Sequence, residues 1–206
     1  MKLRTLLPFA LLTLAAIGHG QEAVDPKPII QEVITAVGGP DKLLRQFRMK
    51  ETYHMGSEPT PPEGKKPGTR ESFVQAPVYW WIGKKDRTGE PAKFDVWAWT
   101  LVALTDPKSK VTVVPDVTES GKPLTGLRIS ESITPPLELY FDKQSKLLVR
   151  MDWRNDIYRF SDWREQDGLK YAAKTIMYSK STGNAWFYHE ITEIERLKEL
   201  PSDLPR

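Results

Sequence analysis

From residue 110 to residue 197 the chain alternates strand-like runs with reversals only two to four residues long, and this rhythm restricts the fold more than any other feature. Residues 111–116 and 124–132 flank Ser120-Gly121-Lys122-Pro123. Residues 137–142 and 147–154 flank Lys143-Gln144-Ser145-Lys146. Residues 157–165 and 169–179 flank Gln166-Asp167-Gly168, and a last run, 185–197, follows Ser181-Thr182-Gly183-Asn184. Asp-Gly pairs suit tight hairpins. Parallel neighbours need a crossover of a dozen or more residues, so connections this short dictate antiparallel pairing. The second half therefore reads as an antiparallel meander.

Its faces are uneven. Leu137, Leu139 and Phe141 share one side of their strand, and Leu147, Val149, Met151 and Trp153 share one side of the next. Tyr140, Leu148, Tyr158, Phe160 and Tyr171 add apolar groups at the other parity. A curved sheet with helices over its concave side accommodates such a pattern.

The first half supplies those helices. Ile29, Ile30, Val33, Ile34 and Val37 paint one face of a three-turn helix. Gly38-Gly39 stops it, and Pro40-Asp41 restarts a short second helix carrying Leu43, Leu44 and Phe47. Strand candidates at 48–55, 69–76 and 78–84 surround a loop, 56–68, that Pro59, Pro61, Pro62 and Pro67 keep irregular and exposed. The apolar run 94–105 accepts either a strand or a helix. The spacing of Trp97, Leu101 and Leu104, with the stop at Asp106-Pro107, favours a short helix. The expected fold class is α+β: a half-barrel meander with two short N-terminal helices and one further short helix covering the concave face.

Residues 1–20 carry Lys2 and Arg4, an apolar stretch from Leu6 to Ile17, and the small residues Gly18 and Gly20. This is the pattern of a cleavable secretory signal. A retained N-terminal anchor is the competing reading. The apolar stretch is shorter than the ~20 residues of a spanning helix. Cleavage after Gly20 leaves residues 21–206 as one domain of 186 residues with charge +1, in place of +3 for the full 206. The expected location is periplasmic or secreted, with no transmembrane segment in the mature chain.

The absence of cysteine excludes a lipid-modified N-terminus, disulfides, thiol catalysis and Cys-ligated metal. A near-neutral mature charge offers no footprint for nucleic acid. His54 and His189 are the only histidines beyond the leader. His189-Glu190 resembles half of a zinc-protease helix motif, but position 193 is Glu193 and the segment reads as a strand, so the helical spacing fails. Asp152, Asp156, Asp162 and Glu165 alternate with Arg150, Arg154, Arg159 and Arg164, which reads as cross-strand ion pairing. No catalytic residue, metal site or cofactor is expected.

The string Leu139-Tyr140-Phe141-Asp142-Lys143, then Leu147-Leu148-Val149-Arg150, then Tyr158 to Trp163, then Asp167-Gly168-Leu169-Lys170-Tyr171 resembles the hairpin pair of the lipoprotein-carrier superfamily, the LolA-like proteins of outer-membrane lipoprotein sorting. The likeness covers residues 135–195; the N-terminal half matches in the order of its elements. It implies a half-barrel closed by helices around an apolar cavity that binds acyl chains, with no catalytic residues.

The expected function is thus a non-catalytic exported binder of a hydrophobic ligand, a lipid or lipidated peptide, and a monomer. The alternative is an envelope interaction or structural module that binds a protein partner and has no cavity. Candidate ligand residues are Ile30, Val33, Val37, Trp80, Trp97, Trp99 and Leu101. For the aromatics, ordinary core packing competes with a place in a cavity wall.

Overall fold

A computed structural model describes residues 24–205. The leader, residues 1–20, lies outside the described residues. Helix α1, Lys27–Ala36, is followed by a 3-10 turn at Pro40–Lys42. Strands β1 (Gln46–Met55), β2 (Gly68–Gln75), β3 (Tyr79–Ile82) and β4 (Lys85–Asp86) come next. Then follow helix α2 (Lys93–Trp99) and a second 3-10 turn (Val102–Thr105). Seven strands complete the chain: β5 (Lys110–Glu119), β6 (Lys122–Ser130), β7 (Leu137–Asp142), β8 (Leu148–Trp153), β9 (Asp156–Gln166), β10 (Leu169–Ser179) and β11 (Ala185–Arg196).

All eleven strands form one antiparallel sheet in the order β4-β3-β2-β1-β11-β10-β9-β8-β7-β6-β5. Strand β11 returns to pair with β1, which joins the N-terminal meander to the C-terminal one. β4 and β5 are therefore opposite edges of an open sheet, and the segment between them has to cross it. That crossing segment contains α2 and the second 3-10 turn, and it packs in the same core as α1 and the sheet. The α+β half-barrel architecture follows.

The tight reversals match their sequence signals. Ser120-Gly121 has φ of 49° and 77°, and Asp167-Gly168 has φ of 52° and 77°, as a two-residue hairpin with two left-handed positions requires. Gly38 seats α1 on the sheet. Its φ is +119°, and a Cβ there would lie 2.0 Å from the carbonyl oxygen of Gly168, while Lys170 N–H donates to Val37 O at 2.9 Å.

Two expectations need correction. The second N-terminal helix is only the 3-10 turn Pro40–Lys42: Leu43 is already extended (φ −58°, ψ 141°), and Phe47 sits in β1. Pairing on both sides, with Val74 and with Arg196, claims Phe47 for the sheet. Leu43 and Leu44 are buried, as a helix face would have been, but from extended backbone. The parity of β8 also changes. A bulge lets Phe141 face Leu148 and Tyr140 face Arg150, so Leu148, Met151 and Trp153 enter the main core. Val149 instead packs with Val114, Leu124 and Tyr140 in a small cluster. Residues 94–105 are helical, but Leu101 breaks them with φ 62°.

Candidate functional site

Strand parity places Phe47, Met49 and Glu51 of β1 on one face, beside Val74, Ser72 and Arg70 of β2 at the matching register positions. Phe47 and Met49 are core residues, so Glu51 is carried inward with them. Its side chain is 0% exposed. A buried carboxylate is costly unless ionic and hydrogen-bonding partners satisfy it. Three side chains do so. Arg70 Nη2 donates to Oε1 at 2.9 Å, Ser72 Oγ donates to Oε2 at 2.6 Å, and His189 Nε2 bonds Oε1 from β11. An ionised carboxylate only accepts, so Nε2 of His189 carries the hydrogen. Burial opposes ionisation of Glu51, but the hydrogen bonds from His189 and Arg70 outweigh it and hold its pKa at about 2.

This polar group forms one wall of a chamber of about 60 Å³ beneath α2. The apolar walls come from Met49, Met151, Phe160, Met177 and Phe187 of the sheet and from Val96 and Trp99 of the helix segment. Asp95, in the first turn of α2, also lines it, close to the hydroxyl of Tyr158. Burial raises its pKa to about 7; the Arg70 charge pulls the other way, and the charge of Glu51 adds to the rise. Tyr158 is raised as well, by burial and then by the Asp95 charge.

Two carboxylates in one chamber are thus driven in opposite directions, because one has partners and the other has an apolar setting. Among the described residues no cation lies within salt-bridge distance of Asp95; the chamber's Arg70 and His189 are both engaged with Glu51.

The residues singled out from sequence occupy different places. Val33, Val37, Trp80, Trp97 and Leu101 are buried in the main core, and Ile30 packs against it. Trp99 alone among them lines the chamber. Val37, Trp99 and Leu101 border a second gap of only about 10 Å³ between the α2 segment and strands β9 and β10. Trp80 joins the core, whereas its neighbour Trp81 is bound by Nε1–H to Pro205 O at 2.8 Å. Sequence reading missed Glu51, Arg70 and Asp95. The parity of Phe47 and Met49 could have exposed the first, and the single charge amid the apolar residues 94–105 could have exposed the last.

His189, whose sequence context failed the zinc-protease spacing, is held in the Glu51 group. The charges of β8 and β9 pair within strands and with other partners: Arg150 with Asp152 and Glu119, Arg164 with Asp162 and Glu190. On the opposite face, the proline-rich loop roofs a groove of about 340 Å³ between Pro59, Pro61 and Pro67 and the strands bearing His54, Lys174 and Tyr188. Tyr188 O–H donates to Ser57 O at 2.9 Å and His54 Nε2 bonds Glu58 O at 2.9 Å, which fastens this loop to the sheet, where the His54 and Tyr188 rings stack 4.7 Å apart.

No protein-family model and no curated protein matches the chain. Solved structures do. A LolA superfamily protein from Nitrosomonas europaea aligns over 89% of this chain and 99% of its own, with a TM-score of 0.58 at 10% identity. An outer membrane lipoprotein-sorting protein domain from Vibrio parahaemolyticus aligns over 85% and 94%, with a TM-score of 0.53 at 10% identity. A DUF1329 family protein from Desulfovibrio piger aligns over 86% and 96%, with a TM-score of 0.52 at 11% identity. The chain has the LolA-like fold.

Proposed function

We propose, from this LolA-like half-barrel, that the protein is a non-catalytic, exported binding protein that holds a hydrophobic ligand, a lipid or lipidated peptide, on the concave face of its sheet. The observation that carries this reading is the chamber beneath α2, walled by apolar side chains on the face that the fold's helices cover. Export rests on the leader pattern of residues 1–20. Among the described residues no helix is long and apolar enough to cross a membrane.

The chamber is small. About 60 Å³ holds roughly four to six water-sized groups, since each needs about 10–15 Å³. Ligand pockets for larger molecules run from about 300 Å³ upward. An acyl chain therefore requires α2 to lift. Several features suit that movement. α2 has seven residues, no side-chain cap at its N-terminal end, and is followed by the left-handed Leu101 (φ 62°). A non-glycine residue in that region stores strain. Met49, Met151 and Met177 line the chamber, and methionine repacks around varied shapes.

The experiment is titration of a fluorescent acyl chain with an uncharged head group. Saturable binding is expected, and Met177→Trp, which fills the chamber, should weaken it by about tenfold or more while the unfolding transition stays cooperative. No binding by the folded wild-type chain would overturn the reading. The tight packing between the α2 segment and β9–β10, where the gap is about 10 Å³, favours the second reading, a protein-binding module with a filled interior. A null titration would support it.

A further inference from the structure

The chamber's polar chemistry narrows what can enter it, given that it is a ligand site as proposed above. Arg70 and His189 are already engaged with Glu51, and Ser72 completes that carboxylate's partners. Asp95 is the chamber carboxyl left without a cation within salt-bridge distance among the described residues. Around it stand aromatic side chains on three elements: Trp99 of α2, Tyr158 and Phe160 of β9, and Phe187 of β11. A carboxyl without a counter-ion among aromatic rings is the combination that recognises ammonium groups, because ring faces and carboxylate both attract a weakly hydrated cation.

We propose that the chamber beneath α2 binds a compact ammonium head group, primary or quaternary, carried by an amphiphile, with Asp95 as its counter-ion and Trp99, Tyr158, Phe160 and Phe187 as its walls. Anionic heads meet Glu51 and Asp95 instead. An anchor open to them is the Nε of Arg70, which is buried without an acceptor among the described residues.

Proton linkage follows from the geometry. The charged and titratable groups facing Asp95 are Glu51 on β1, Arg70 on β2, Tyr158 on β9 and His189 on β11. An entering ammonium favours the ionised carboxyl, so Asp95 releases its proton to solvent on binding wherever it was protonated before. Affinity therefore rises with pH until it levels off above about 7, the pKa of Asp95 in the free protein. The Asp95 variant separates this carboxyl from the other groups.

The test is calorimetric titration of the mature chain with dodecyltrimethylammonium, dodecyl maltoside and dodecanoate below their micellar concentrations, at about pH 5.5 and about pH 8. Expected at the higher pH is cationic binding about tenfold tighter than neutral, reduced about fivefold or more at the lower pH and accompanied there by proton release into the buffer. Asp95→Asn should remove the cation preference and the proton release while dodecyl maltoside still binds. Equal binding of cationic and neutral chains, a preference for dodecanoate, or an unchanged preference in Asp95→Asn would each overturn the ammonium site and leave the amphiphile reading standing. Failure of all three to bind would overturn both.

Discussion

Glu51→Gln is expected to lower the unfolding free energy by about 3–5 kcal/mol, the scale for removing one partner of a buried ion pair. Glu51 is fully buried and accepts from Arg70, Ser72 and His189, which come from β2 and β11 on either side of β1. An amide in its place offers one acceptor oxygen and turns an N–H₂ group toward donors. Arg70 is left without its counter-charge and His189 without its carboxylate acceptor. The titration of Glu51 supports the same scale. Its pKa of about 2, against 4.5 unfolded, corresponds to about 3 kcal/mol of differential stabilisation. A depressed carboxyl contributes fully above its unfolded value, so the contribution holds above about pH 4.5 and fades as pH falls toward about 2. Urea unfolding at neutral and acid pH checks both parts: a wide gap between wild type and variant at neutral pH that narrows in acid. A neutral-pH difference under about 1 kcal/mol, the scale of an exposed pair, would contradict the buried assignment.

Asp95→Asn should act in the opposite direction, raising stability by about 2–4 kcal/mol at pH 8. Its carboxyl is raised from 3.8 to about 7 by burial. The folded state therefore binds more protons than the unfolded state between these values. Stability attributable to this group is full below about pH 3.8 and lost as pH rises to about 7. Asparagine keeps the shape and has no charge to bury. Denaturant midpoints across this range should fall with pH in the wild type and flatten in the variant. Glu51 and Asp95 face the same chamber, so the two substitutions are not expected to add.

The sheet was legible because each strand of the C-terminal meander is bounded by a turn whose residues state its geometry, as Ser120-Gly121 and Asp167-Gly168 do with paired positive φ values. The second helix was not legible. Leu43, Leu44 and Phe47 have helical spacing, but β1 pairs on both sides, and tertiary pairing outweighs a weak local preference. Val149 changed face because one bulge reverses parity, and bulges leave little trace in a hydrophobic pattern.

The chamber was hidden for a different reason. Glu51 and His189 are 138 residues apart and meet only because β11 returns to β1. Trp80, Trp97, Val33 and Val37 drew attention through size and spacing, and they fill the core. The chamber takes Trp99 together with methionines and Phe187 scattered over four strands, residues with no local signature.

The most direct measurement is a hydrogen-exchange footprint of the mature chain with and without saturating dodecyltrimethylammonium. The account predicts slowed exchange in α2, Lys93–Trp99, and in the strand segments that carry Met49–Glu51, Thr175–Met177 and Phe187–His189. Protection confined to the proline-rich loop and the groove at Pro59, Pro61 and Pro67, with α2 unchanged, would contradict it.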